Sequence, residues 1–148
     1  MGWIISLLVI GGITTALIYQ GNQSTKNKKL VDEQVLKEYF QALQEKKYEV
    51  AWNYYSNTLK EKTSLPEFIS HYQKLNEAWG DLEKYTIYRA SVQYNIFDKS
   101  KKMYATIQYD FEKKMLTVDY YFNKKEDGTL EITGFGSKYD MYSEYCPW

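Results

Sequence analysis

Beyond residue 30 the apolar positions recur first at helical spacing and then at every second residue, so the chain reads as helices followed by strands. Val31, Val35, Tyr39 and Ala42, joined by Leu36, Phe40 and Leu43, form a stripe that predicts an amphipathic helix over residues 30–46. Tyr48, Ala51, Trp52, Tyr55 and Leu59 predict a second helix over 48–59, with Asn57 and Thr58 at a fraying end. Ser64 stands three residues before Glu67 with Pro66 between them, the signature of a capping box that opens a third helix. The third stripe is Leu65, Phe68, Ile69, Tyr72, Leu75 and Trp79, and Gly80 is placed to end it.

From residue 82 the period falls to two. Thr86, Tyr88, Ala90, Val92, Tyr94 and Ile96 alternate with a wetter set, Tyr85, Ile87, Arg89, Ser91, Gln93 and Asn95, as in a long strand with one face covered. Met103, Ala105, Ile107, Tyr109 and Phe111 predict a second strand. Leu116, Val118, Tyr120 and Phe122 predict a third, and Leu130, Ile132 and the glycines of "GFG" a fourth, with Gly134 and Gly136 marking a bulge or bend. The connections "DKSKK", "EKK" and "KKEDG" are short, which makes successive strands antiparallel neighbours. The expected fold is α+β: three helices packed on one face of a curved four-stranded antiparallel sheet.

Ahead of this region, residues 3–19 carry no charge and, as a helix, span about 26 Å of a roughly 30 Å hydrocarbon core. Trp3 and Tyr19 stand at the two ends, where interfacial aromatics belong. A cleaved signal peptide is the competing reading, but no basic residue precedes the run and no small-x-small site follows it. The expectation is a transmembrane anchor over residues 1–20 in contact with the lipid bilayer through 3–19, a tether over 21–29 and a soluble domain over 30–148. Gly12 and Ala16 have the spacing through which membrane helices approach closely, which implies a membrane-protein partner or self-association. Lys26, Lys28 and Lys29 follow the apolar run, and the positive-inside rule then favours a cytoplasmic domain.

Charge narrows the function classes. Lysine plus arginine and aspartate plus glutamate both number 19, and Arg89 is the only arginine, so nucleic acid is not an expected partner. The single Cys146 leaves no internal disulfide and no cysteine-based zinc site. No phosphate-cradling loop, metal-spaced histidine pair or nucleophile elbow is present, and no cofactor is implied. Tyrosine is the abundant residue, with 16 copies, and it suits both wet pockets and half-buried sheet surfaces. The terminal "KYDMYSEYCPW" reads as a last aromatic turn packing on the sheet or as a tail that meets a partner.

The run "YFQALQEKKYEVAWNYYSN", then "SLPEFISHYQKLNEAWGDLEKYTIY", then tyrosine-rich strands resembles the nuclear-transport-factor-2-like domains of the cystatin-like superfamily, over residues 36–137. Members behind a membrane anchor include an assembly component of type IV secretion systems and an extension domain of penicillin-binding proteins. That resemblance implies an exported domain, against the lysine placement. It also implies that enzymes of this kind use a pocket aspartate or histidine with a tyrosine donor. The candidates are His71, Asp110 and Asp119 with Tyr88 or Tyr120, although a lone helix histidine and aspartates opposite the apolar positions read first as structural or solvated.

Three functional expectations follow. The leading one is a non-enzymatic protein-interaction or assembly module, with Tyr85, Tyr104 and Tyr121 on the open sheet face as the partner contact. The second is a small-molecule or lipid binder whose pocket is lined by Trp52, Tyr55, Tyr72, Trp79, Tyr88, Tyr109 and Tyr120. The third is an isomerase-like or dehydratase-like enzyme, which requires a carboxylate or His71 in that pocket with a matched pKa.

Overall fold

The structure, a computed structural model, describes residues 23–94 and 101–137. Helix α1 runs over residues 23–44: an α-helical stretch to residue 31, a π-helical turn at Asp32–Leu36 and α-helix again at Lys37–Gln44. It thus begins inside the polar stretch expected to be a tether. The apolar stripe is placed as its spacing predicts, and Val31, Val35, Leu36, Tyr39, Phe40, Ala42 and Leu43 are all buried. The helix ends in a Schellman motif, in which Lys47 N–H bonds Ala42 O at 2.8 Å and Lys46 N–H bonds Leu43 O at 3.1 Å. Lys46 takes the left-handed position at φ 58°, where glycine is the usual occupant.

The second predicted helix is two. Helix α2 covers Tyr48–Trp52 and helix α3 covers Asn57–Lys62. Between them the backbone of residues 54–56 lies along the sheet edge. Ile132 N–H bonds Tyr54 O and Ser56 N–H bonds Ile132 O, both at 2.8 Å. Ser56 then caps α3 by accepting from Leu59 N–H at 3.3 Å, so Asn57 and Thr58 open a helix rather than fray one. Helix α4, Leu65–Trp79, starts with the predicted capping box, with Ser64 N–H and its hydroxyl donating to Glu67 Oε2 at 2.8 and 2.7 Å. Gly80 ends it at φ +86°, and a Cβ there would lie 2.2 Å from the Glu112 carboxylate.

Strands β1 (Leu82–Tyr94), β2 (Lys101–Phe111), β3 (Met115–Lys124) and β4 (Leu130–Ser137) form an antiparallel meander in sequence order. The helices cover one face, and the core between the layers is almost wholly aromatic and aliphatic. This is a small α+β domain with four-stranded antiparallel sheet and helices, compatible with the nuclear-transport-factor-2-like fold, although its helical layer has four pieces among the described residues rather than three.

Two corrections concern position. Ile87 pairs with Ile107 while Arg89 pairs with Thr106, so Tyr88 is the extra residue of a β-bulge. A bulge reverses side-chain parity. Tyr85 and Ile87 therefore face the helices before it, and Ala90 faces them after it. Tyr88, expected in the pocket, is 53% exposed, and Tyr85, expected at the surface, stacks on Phe40 with ring centroids 4.0 Å apart. The second correction concerns the membrane. No helix among the described residues is long and apolar enough to cross one. Residues 3–19, with Gly12 and Ala16, lie outside the described residues, as does the terminal aromatic stretch. The transmembrane part of the expected fold, the single-pass location and the bilayer contact thus have no counterpart among the described residues.

Candidate functional site

Tyrosines on five elements converge inside the core. Tyr39 of α1, Tyr55 before α3, Tyr72 of α4, Tyr109 of β2 and Tyr120 of β3 are all buried. The hydroxyls of Tyr39 and Tyr72 lie 3.0 Å apart, and those of Tyr109 and Tyr120 also bond to each other. Pairing phenol with phenol removes the cost of a buried unpartnered hydroxyl. The rings contact one another too: Tyr39 stands 6.2 Å edge-on to Tyr120 and Tyr55 lies 5.2 Å edge-on to Phe68. Burial, and then the neighbouring phenols, push the pKa of Tyr39, Tyr109 and Tyr120 far up; burial does the same to Tyr55 and Tyr72. These are neutral donors and acceptors, not bases.

Four of the pocket candidates, Tyr55, Tyr72, Tyr109 and Tyr120, are thus brought together, and Tyr39 is the member the sequence reading left in the core. Trp52 and Trp79 stand apart from them. The Trp52 indole donates to Thr63 O at 3.2 Å, with the Lys60 ammonium 4.6 Å from its ring centroid. Trp79 packs edge-on against Phe111 at 5.5 Å.

Beside this cluster a cleft of about 550 Å³ opens between the helices and β4. Leu59 and Lys62 of α3 form one wall, with Thr63 following them. Glu67 and His71, one turn apart on α4, form the second wall, and Thr133, Gly134 and Phe135 of β4 the third. Phe135 separates the cleft from the phenols, since its ring lies 5.7 Å from Tyr55 and 6.0 Å from Tyr120. His71 packs edge-on to Tyr72 at 5.4 Å. Burial, with the Lys74 charge adding to it, lowers the imidazole pKa to about 4. At neutral pH His71 is an uncharged ring and a weak base, poorly matched to general-base work near pH 7.

The opposite face of the sheet carries a different constellation. Tyr104 of β2 and Tyr121 of β3 are direct cross-strand partners. The Arg89 guanidinium stands 5.0 Å from the Tyr104 ring centroid. Tyr121 leans over Gly134, where a Cβ would lie 3.7 Å from its ring. The row Arg89, Tyr104, Tyr121 therefore crosses the outer face of the sheet, while the exposed Tyr88 and Met115 both contact Gln108, farther along β2.

The aspartates expected to be solvated lie on this outer face and are held there. Asp119 accepts from the Thr106 hydroxyl at 2.5 Å; Asp110 accepts from Gln108 and pairs with Lys84 at 3.2 Å. Tyr88 donates to Gln108 at 2.6 Å. These bonds fix the polar part of the surface around the aromatic row. Alternation already assigned Arg89 to the wetter face, but its place beside Tyr104 depends on a cross-strand neighbour that alternation does not show.

The chain matches no known family model and no curated protein. Among the described residues no group of three His, Cys, Asp or Glu is placed to hold a metal ion.

Proposed function

We propose that this chain is a non-enzymatic protein-interaction module of nuclear-transport-factor-2-like fold, and that the outer face of its sheet is the docking surface. The observation that carries the reading is the row Arg89–Tyr104–Tyr121 on the outer face of the sheet. Tyrosine and arginine are enriched in interface centres, where a stiff aromatic contributes contact area with little entropy to lose. Strand pairing fixes the backbone positions of these residues and the Arg89–Tyr104 contact orients two of the side chains before any partner arrives, which lowers the cost of association. The partner expected is a folded protein with a flat surface carrying a carboxylate for Arg89.

Two observations favour this over the alternatives. The interior seat of a small ligand is occupied by the five packed tyrosines, none of which lines the cleft beside β4. The enzymatic reading needs an acid–base group tuned near neutral pH, whereas His71 is shifted to about 4.

The test is site-directed photocrosslinking in the native host. Benzoylphenylalanine at Tyr121 is expected to give one discrete adduct that Arg89→Glu abolishes, while the same group at exposed Lys74 on α4 gives none. Equal adducts from both positions, unaffected by Arg89→Glu, would overturn the proposal.

A further inference from the structure

The cleft between α3, α4 and β4 is a second site, separate from the outer sheet face and from the buried phenols. Its volume of about 550 Å³ falls within the roughly 300–1,000 Å³ typical of small-molecule sites. Its composition is also that of such a site, an apolar floor with a few placed polar groups. Leu59 and Phe135 supply the floor. Phe135 is held from behind by Tyr55 and Tyr120, so its ring is a fixed surface on which a flat apolar group can lie.

The charged groups on the rim differ in what they can offer. Glu67 is engaged in the capping box, where the Ser64 hydroxyl and then the Ser64 N–H donate to it and hold its carboxyl below the usual range. Lys62, the last residue of α3, forms no ion pair of 4.0 Å or less with another described residue. It is the rim cation that a ligand can meet. His71 lines the wall with a polar ring between floor and rim.

We infer that this cleft binds a small amphipathic anion: a ring-sized apolar body seated on Phe135 and Leu59, with a carboxylate or sulfonate directed to Lys62. The neutral state of His71 fits this seat, because an uncharged imidazole can line an apolar cleft at neutral pH without the desolvation cost of a cation.

The test uses 8-anilinonaphthalene-1-sulfonate, which has both parts, with the intact chain. Its binding is followed by fluorescence and located by amide chemical shifts. Saturable binding that shifts the amides of Thr133–Phe135 and His71 is expected. Lys62→Glu, a change at an exposed site, is expected to weaken it by about fivefold or more at low ionic strength. His71→Trp, which fills the cleft, is expected to abolish it, and Lys84→Glu on the opposite sheet face to leave it unchanged. If His71→Trp unfolds the chain, the Lys62→Glu and Lys84→Glu comparison decides alone. Equal affinity for wild type and Lys62→Glu would overturn the proposal. Absence of binding, or shifts confined to the smaller groove between Leu30, Val92 and Leu130, would overturn it as well.

Discussion

The hydroxyls of Tyr39 and Tyr72 meet at 3.0 Å inside the core, joining the first and last helices across 33 residues of chain. Each is a buried partner of the other within the phenol cluster, so removing one takes a hydrogen bond from the other. Tyr39→Phe or Tyr72→Phe alone is expected to cost about 1–2 kcal/mol in urea unfolding. The double variant is expected to cost less than the sum, because it leaves no orphaned hydroxyl between the two positions. Strict additivity would show that the two phenols are not coupled.

The bulge at Tyr88 makes a sharper prediction, because it inverts two neighbours. Tyr85→Ala removes a ring stacked on Phe40 and a hydrogen bond to Asp32 at 2.5 Å, and should destabilise by about 3 kcal/mol. Tyr88→Ala removes an exposed ring and should stay within about 0.5 kcal/mol of wild type. The reverse order in thermal unfolding would place β1 in the unbulged register.

Lys46 occupies a left-handed cap position with a side chain that disfavours it. Its ion pair with Asp81 is exposed and contributes little. Lys46→Gly should therefore raise stability by about 1 kcal/mol, read as a higher urea midpoint at unchanged slope.

His71 links stability to pH. Its folded pKa of about 4 lies below the ordinary 6.5, so between these values the unfolded chain binds a proton that the folded chain does not. Stability attributable to this residue is complete above about pH 6.5 and falls as pH drops toward 4, by at most about 3 kcal/mol and less where water reaches the ring from the cleft. In a His71→Gln variant this part of the pH dependence of urea unfolding should vanish. An unchanged profile between pH 4 and 6.5 would assign the effect to carboxylates.

The legible parts of the fold were those set by local chemistry. The capping box at Ser64 and Glu67, the stop at Gly80, the turn at Gly128 and the order of strands all follow from residues close in sequence. The break between α2 and α3 was not legible. It depends on Ile132 bonding the backbone at Tyr54 and Ser56, a contact 76 residues distant from Ser56, while the Tyr48-to-Leu59 stripe still reads as one helix.

The site divided in the same way. Tyr55, Tyr72, Tyr109 and Tyr120 were found together because they lie on apolar stripes, and Tyr104 and Tyr121 because their strands keep parity. Tyr85 and Tyr88 were exchanged because a single extra residue in β1, invisible to alternation, turns each to the other face. The cleft combines short stretches of three elements and has no sequence signature of its own.

The claim that the outer face docks a protein is tested most directly by affinity for the crosslinked partner once purified. Titration calorimetry should show Tyr104→Ala and Arg89→Glu each weakening binding at least about tenfold, or roughly 1.4 kcal/mol, with Lys74→Ala on the helical face binding as wild type. Wild-type affinity in both Tyr104→Ala and Arg89→Glu would contradict the account and move the interface off the sheet.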